Sequence, residues 1–268
     1  MADFGAGRDR GPVFFGGIVN GDADPAIDPT PAPLTVAFDA DDTLWHSESV
    51  FEETHGRLVA LLAPWVDPAT LERRLLDTEA RNLKTFGYGV KGFTLSMIET
   101  AIEISGGRVG SGEIRAILEL GKAMMDHPVE LLDGVVETLD ALAPDAEAGR
   151  VRLIVITKGD LFHQESKVAR SGLAERFESI EIVAEKDEAT YRRILQRGGT
   201  APERFLMIGN SMKSDILPVL DLGGQAVHIP YRITWALEHV TRPEIAPPGF
   251  HTLDSIREVP ALVARLLG

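Results

Sequence analysis

The chain of 268 residues reads as an α/β protein: a doubly wound, mostly parallel sheet with an all-helical domain inserted into it. Three observations carry this reading. Short runs rich in Val and Ile recur at 34–38, 151–156, 180–183, 205–208 and 226–229. They are apolar at successive positions, as strands of a parallel sheet covered on both faces are. Helical stretches of suitable length separate the later runs. Between the first run and the second, from about 46 to 150, amphipathic helix patterns occur with no convincing strand among them.

Each element has its own justification. Residues 1–33, rich in Gly, Pro, Asp and Ala and ending in DPAIDPTPAP, read as an N-terminal arm outside the sheet. The first strand is LTVAF, 34–38. The stretches 47–62, 69–84, 93–104 and 113–125 follow, with Leu71, Leu75 and Leu76, then Ile114, Ile117 and Leu118, at helical spacing. This is too much chain for one strand-to-strand crossover, so 47–129 is expected to pack as a helical domain. The segments 34–46 and 130–268 would form the core, entered by a return helix within VELLDGVVETLDALAP. Later helices at 162–171, 188–196 and 216–222 each stop at glycine, namely Gly172, Gly198-Gly199 and Gly223-Gly224.

Composition narrows the function classes. With 41 acidic against 27 basic residues the formal charge is −14, and no basic stripe of the kind nucleic-acid binders carry is present. The absence of Cys removes a thiolate nucleophile, a disulfide framework and a Cys-ligated zinc, and it fits a cytoplasmic protein. No apolar run approaches a membrane span, and the first residues lack the pattern of a signal peptide.

Ligands of an open parallel sheet bind at the carboxyl ends of its strands, so the residues just after each apolar run sample the site. The first run delivers Asp39, Asp41, Asp42 and Thr43. The second delivers Thr157, Lys158, Gly159 and Asp160; the third, Glu185, Lys186 and Asp187; the fourth, Asn210, Ser211 and then Asp215. Taken singly, each has an ordinary reading. Asp39 and Asp41 suit turns and helix caps, Asp42 more readily caps than reacts, and Lys186 is a surface lysine type. His46 reads as a local hydrogen-bonding residue, and Trp45 and Trp235 as packing. GYGVKG, 87–92, matches the glycine spacing of a dinucleotide loop but follows a helix rather than a strand. It reads instead as a junction within the helical domain, from which Tyr88 and Lys91 are candidates to reach substrate.

Taken together, DADDT, ITKGD, EKDEATY and GNSMKSD, in this order at four strand ends, resemble the four motifs of the haloacid dehalogenase-like hydrolases. The resemblance spans about 34–268 and implies a Rossmann-like core with a helical cap inserted after the first strand. It implies Asp39 as nucleophile, forming an aspartyl-phosphate, and Asp41 as general acid and base. It implies Thr157 as a ligand of a phosphoryl oxygen and Lys186 as the compensating charge. Lys158 and Gly159 would complete the substrate contacts. Mg²⁺ would lie between the Asp39 carboxylate, the Asp41 backbone carbonyl and Asp215, with Asn210 standing where the family often has Asp. Asp41 favours phosphoryl transfer over dehalogenation, since a departing halide needs no proton. The expected enzyme is therefore a Mg²⁺-dependent phosphatase of a small phosphorylated metabolite, with no nucleic acid or membrane as partner. A phosphomutase acting on a sugar phosphate would keep the same residues, and a non-catalytic phosphate-binding relative would keep the fold.

Overall fold

The structure, a computed structural model, describes residues 32–240 and 247–268; the expected N-terminal arm lies almost wholly outside them. Six strands form one sheet: β1 (Leu34–Phe38), β2 (Val151–Lys158), β3 (Ser179–Val183), β4 (Phe205–Gly209), β5 (Gln225–His228) and β6 (Phe250–Thr252). Their order is β3-β2-β1-β4-β5-β6, and every pair is parallel. The chain winds outward in both directions from β1, so the order reverses between β1 and β4. That switch point opens a crevice at the carboxyl ends.

Alternation along the strands sorts the core into two layers. Val36 and Phe38 pack with Val155, Leu206 and Ile208 on one face of the sheet. Ala37 packs with Ile154, Ile156, Phe205 and Met207 on the other, beneath Tyr191. Both faces are dry, which is why LTVAF carries no polar face. The sixth strand escaped the sequence reading because it is only three residues long and begins after a glycine, in a Pro-rich stretch.

Between β1 and β2 lie α1 (Glu48–Leu62), α2 (Pro68–Phe86), α3 (Val90–Ile104) and α4 (Ser111–Asp126), then α5 (Val135–Glu147) against the sheet. The first four share an apolar cluster of their own, with Leu58, Leu62, Leu71, Leu75, Phe93, Met97 and Ile117 at its centre. Residues 32–268 nonetheless form one compact unit. The two connections between sheet and insert hold each other: His46 N–H donates to the Glu130 carbonyl at 3.0 Å, and Leu132 N–H to the Leu44 carbonyl at 3.0 Å. The remaining helices are α6 (Leu161–Ser171), α7 (Glu188–Gly198), α8 (Leu217–Asp221) and α9 (Val259–Leu267).

Two local departures from the sequence reading bear on the site. The helix expected from 93 begins at Val90, and Gly92 lies inside it because a Cβ there would stand 2.6 Å from the Gly87 carbonyl oxygen. The chain ahead of α8 makes a π-turn over Met212–Ile216. Such turns widen the backbone helix by one residue and recur at functional sites.

Candidate active site

The four strand ends meet at the switch point as expected from their order. Asp39 follows β1 directly, its N–H donating to the Ile208 carbonyl at 2.8 Å, and its side chain is buried. The Lys186 ammonium, from the loop after β3, donates to Asp39 and, at 2.7 Å, to Asp215. Thr43 adds a hydroxyl to Asp39 at 3.2 Å. Asp215 sits on the π-turn and also accepts the Ser211 N–H at 2.9 Å. It can tuck beneath β4 only because residue 209 is glycine: a Cβ there would be 2.3 Å from its carboxylate. Burial pushes the Asp39 carboxyl up to about 7, with Lys186 pulling against that and Asp215 adding to it. Burial disfavours the Lys186 ammonium, but the carboxylates of Asp215 and Asp39 outweigh it and hold its pKa above the usual lysine value.

Asp41 faces the same cavity with a different set of partners. Its Oδ1 accepts the Trp45 indole N–H at 2.6 Å and the Lys167 ammonium at 2.5 Å. Its Oδ2 accepts the Gln164 amide at 2.9 Å. Burial alone would raise this carboxyl, yet Lys167, together with the Gln164 and Trp45 hydrogen bonds, holds it below the usual carboxylate range. Asp42, also on the cavity wall, accepts the backbone N–H groups of Ser47 and Glu48 at the start of α1.

At the end of β2, Thr157 Oγ1 accepts from Gln164 at 3.0 Å. Lys158 lies on the cavity wall but is already engaged. Its ammonium donates to Glu238 at 2.6 Å and to Ser214 at 2.8 Å, and it stacks 4.0 Å from the Tyr88 ring centre. Tyr88 reaches down from the insert to donate to Glu185 at 2.7 Å, with the Trp235 ring against its own. Asn210 and Gly159 line the cavity. Lys91 does not: its exposed ammonium pairs with Asp160 at 2.9 Å and lies over Phe162 at the rim. Its place as the second residue of α3 carries it outward from the loop that delivers Tyr88.

Several residues of the site were not singled out in the sequence. Gln164 and Lys167 lie on α6 and Glu238 on the strap after β5, where Ser211 and Ser214 also donate to it at 2.6 Å. Trp45 and Trp235 do more than pack, for one donates to Asp41 and the other closes the cavity over Tyr88. His46 is a local hydrogen-bonding residue, 2.7 Å from the Tyr231 hydroxyl. The cavity between sheet edge and insert has a volume of about 430 Å³, the size of a small-molecule site.

The donors suit a hard divalent cation. Asp39 and Asp215 both reach one ammonium, so a single cation lies within reach of both carboxylates. Asp41 and Asn210 line the same wall and can add a carbonyl and an amide oxygen. Among the described residues no group of three or more His, Cys, Asp or Glu side chains forms a metal cluster.

Comparison with known proteins agrees with this geometry. A sequence model of the haloacid dehalogenase-like hydrolases matches residues 33–223. A solved haloacid dehalogenase-like family hydrolase from Xanthomonas campestris is similar at 42% identity and a TM-score of 0.77, over 88% of this chain and 92% of its own. At the level of fold alone the chain is similar to a predicted phosphoglycolate phosphatase from Haemophilus somnus 129pt, at 16% identity and a TM-score of 0.55, over 87% of this chain and 98% of that one. It is likewise similar to a 2-haloacid dehalogenase from Pseudomonas syringae pv. tomato DC3000, at 20% identity and a TM-score of 0.57, over 87% and 99%. No curated protein sequence matches the chain. From its four motifs, the sheet order that gathers them and the family match over most of its length, the chain belongs to the haloacid dehalogenase-like hydrolases.

Proposed function

We propose that the enzyme is a phosphatase of small phosphomonoesters that works through an aspartyl-phosphate on Asp39. The observation that carries this reading is the Asp41 carboxylate, held on the cavity wall two residues from Asp39 by three donors. An ester oxygen leaving phosphorus needs a proton, and the water that later attacks must lose one; one carboxylate in this place serves both steps. A departing halide has no use for it.

In the first step an Asp39 oxygen attacks phosphorus, the bond to the ester oxygen breaks, and Asp41 passes a proton to that oxygen. Lys167 holds Asp41 ionised at rest, so this proton arrives on the substrate, whose phosphate has its second pKa near ~6. In the second step water attacks the phosphorus of the aspartyl-phosphate, its proton passes to Asp41, and Asp39 is freed with release of phosphate. Lys186 offsets negative charge beside Asp39, and Thr157 donates its hydroxyl to a phosphoryl oxygen. Asp39, Asp215, the Asp41 carbonyl and Asn210 would hold Mg²⁺, which when bound would draw charge from the transferring group. The insert acts as a cap: its Tyr88, with Trp235 from the segment after β5, roofs the cavity and keeps bulk water from the reacting atoms.

The test is phosphate release from p-nitrophenyl phosphate with and without Mg²⁺, beside chloride release from a 2-chloro acid. Phosphate release that needs the cation, and that falls by more than ~10³-fold in Asp39→Asn, is expected. Chloride release without phosphate release would overturn the reading. A sugar phosphate isomerised with little free phosphate would identify a mutase built on the same residues.

A further inference from the structure

The helix α6 is anchored directly behind the site. Asp160 caps it, accepting the His163 N–H at 2.9 Å, so the direction of its first turns is fixed. Gln164 and Lys167, three residues apart, therefore project to the same side, and both end on the Asp41 carboxylate. Gln164 is 2% exposed. Its amide nitrogen lies 2.9 Å from Asp41, 3.0 Å from the Thr157 hydroxyl and 2.8 Å from the Lys158 carbonyl. It thus joins the ends of β1 and β2 through a single nitrogen. Gly159 makes the approach possible, since a Cβ at this residue would stand 3.2 Å from the same nitrogen. The Lys167 side chain is 12% exposed, unusual for lysine.

These contacts fix a carboxylate that has no other reason to hold still. Asp41 stands at a turn past the end of β1, where an aspartate side chain ordinarily samples several rotamers. Three donors on two oxygens remove that freedom. A buried ion pair adds little net stability, because desolvation of both charges offsets their attraction, so the pair's effect lies chiefly in where it places the carboxylate. Lys167 is also distinct from Lys186, which serves Asp39 and Asp215.

We propose that Lys167 and Gln164 are positioning residues that aim the Asp41 carboxylate at the leaving-group oxygen. This rests on the phosphatase reading. Neither residue need touch the substrate; in the phosphorylation step their effect falls where a proton reaches the departing oxygen.

The experiment is a series of ring-substituted phenyl phosphates hydrolysed by wild type, Lys167→Met, Lys167→Arg and Gln164→Leu, with Mg²⁺ present. kcat/KM reports binding and phosphorylation, and not the later hydrolysis of the aspartyl-phosphate. p-Nitrophenolate departs without help, whereas unsubstituted phenolate needs a proton. Expected is a small change for p-nitrophenyl phosphate, a loss of ~10-fold or more for phenyl phosphate in Lys167→Met, and partial recovery in Lys167→Arg. A plot of log kcat/KM against leaving-group pKa then steepens. An equal fall for every ester would show a merely structural role, and a uniform rise in KM at unchanged kcat would show phosphate binding; either overturns the proposal. Gln164→Leu reads the same slope if Lys167→Met fails to fold. Failure of wild type to release phosphate from any ester is the different result that removes the phosphatase reading, and this proposal with it.

Discussion

On the sheet side of the cavity the carboxylates are matched to ammonium groups, except Asp42, which is held by the Ser47 and Glu48 N–H groups and which burial pushes up to about 7. Asp39 and Asp215 share Lys186, Asp41 has Lys167, and Glu238 has Lys158. On the insert side Glu48 and Glu79 face the same space, and none of the residues that α1 to α4 contribute to its lining is Lys or Arg, among the described residues. Burial pushes Glu79 up to about 7, against a hydrogen bond from Trp235. It pushes Glu48 up to about 8, and the carboxylates of Asp42, Asp41, Glu79 and Glu238 push the same way. The contrast separates two uses of buried charge. At the strand ends charge is compensated and so held in one geometry. Across the cavity it is uncompensated, and stability depends on whether it is ionised.

The sharpest way to break the contrast is to remove a compensating cation. Lys186→Met leaves Asp39 and Asp215 buried side by side without their shared ammonium. Truncating one partner of a buried pair costs about 3–5 kcal/mol, so urea unfolding is expected to show a loss of that size. A loss under ~1 kcal/mol would mean that water or relaxation already compensates these carboxylates, and the sheet edge would be no better matched than the insert.

The two sides were also not equally legible in the sequence. Asp39, Thr157, Lys186 and Asp215 stand out because each follows an apolar strand, and a polar residue there projects from the sheet edge. Lys167 and Gln164 left no such mark. Three apart on an amphipathic helix, they read like residues of its solvated face, and only the packing of α6 behind β1 turns them toward Asp41. Glu238 lies beyond β5 in a segment with no periodicity, so nothing local announces that it meets Lys158. Tyr88 was visible through the glycines around it, but Lys91, in the same loop, turns outward because α3 starts three residues earlier than its apolar pattern suggests. The sheet order follows from the placement of strands and crossovers; the insert's role follows from side chains whose direction only tertiary packing decides.

A smaller effect is expected from relieving the uncompensated side. Below its ordinary pKa, Glu48 is neutral in both the folded and the unfolded chain and contributes no difference. As pH rises above that value the unfolded chain ionises first, so the folded state loses stability until about 8, where the folded carboxyl ionises as well. Glu48→Gln removes the titration. It is expected to match wild type near pH 4 and to exceed it above pH 8 by about 2 kcal/mol, less than the ~5 kcal/mol of the full shift because the side chain is only half-buried, as thermal unfolding across that range would reveal. Equal stability at every pH would place Glu48 in contact with solvent or a cation.

The smallest effect tests the one direct link between the sides. Tyr88 carries the insert's hydroxyl to Glu185 at 2.7 Å, and its ring lies over the Lys158 ammonium. Tyr88→Phe keeps the ring, and with it the cation contact and the edge-on packing of Trp235, and deletes only the hydroxyl. A hydrogen bond to a charged acceptor is worth about 1.5–3 kcal/mol when buried, but Glu185 is half-exposed, so about 1 kcal/mol is the realistic size. That energy acts on the contact between insert and sheet edge rather than on the reacting atoms. KM for a small phosphate ester is therefore expected to rise ~3- to 5-fold with kcat little changed. A fall in kcat at constant KM would instead place the hydroxyl in the chemistry of the sheet side, and the division between compensated edge and uncompensated insert would have to be drawn elsewhere.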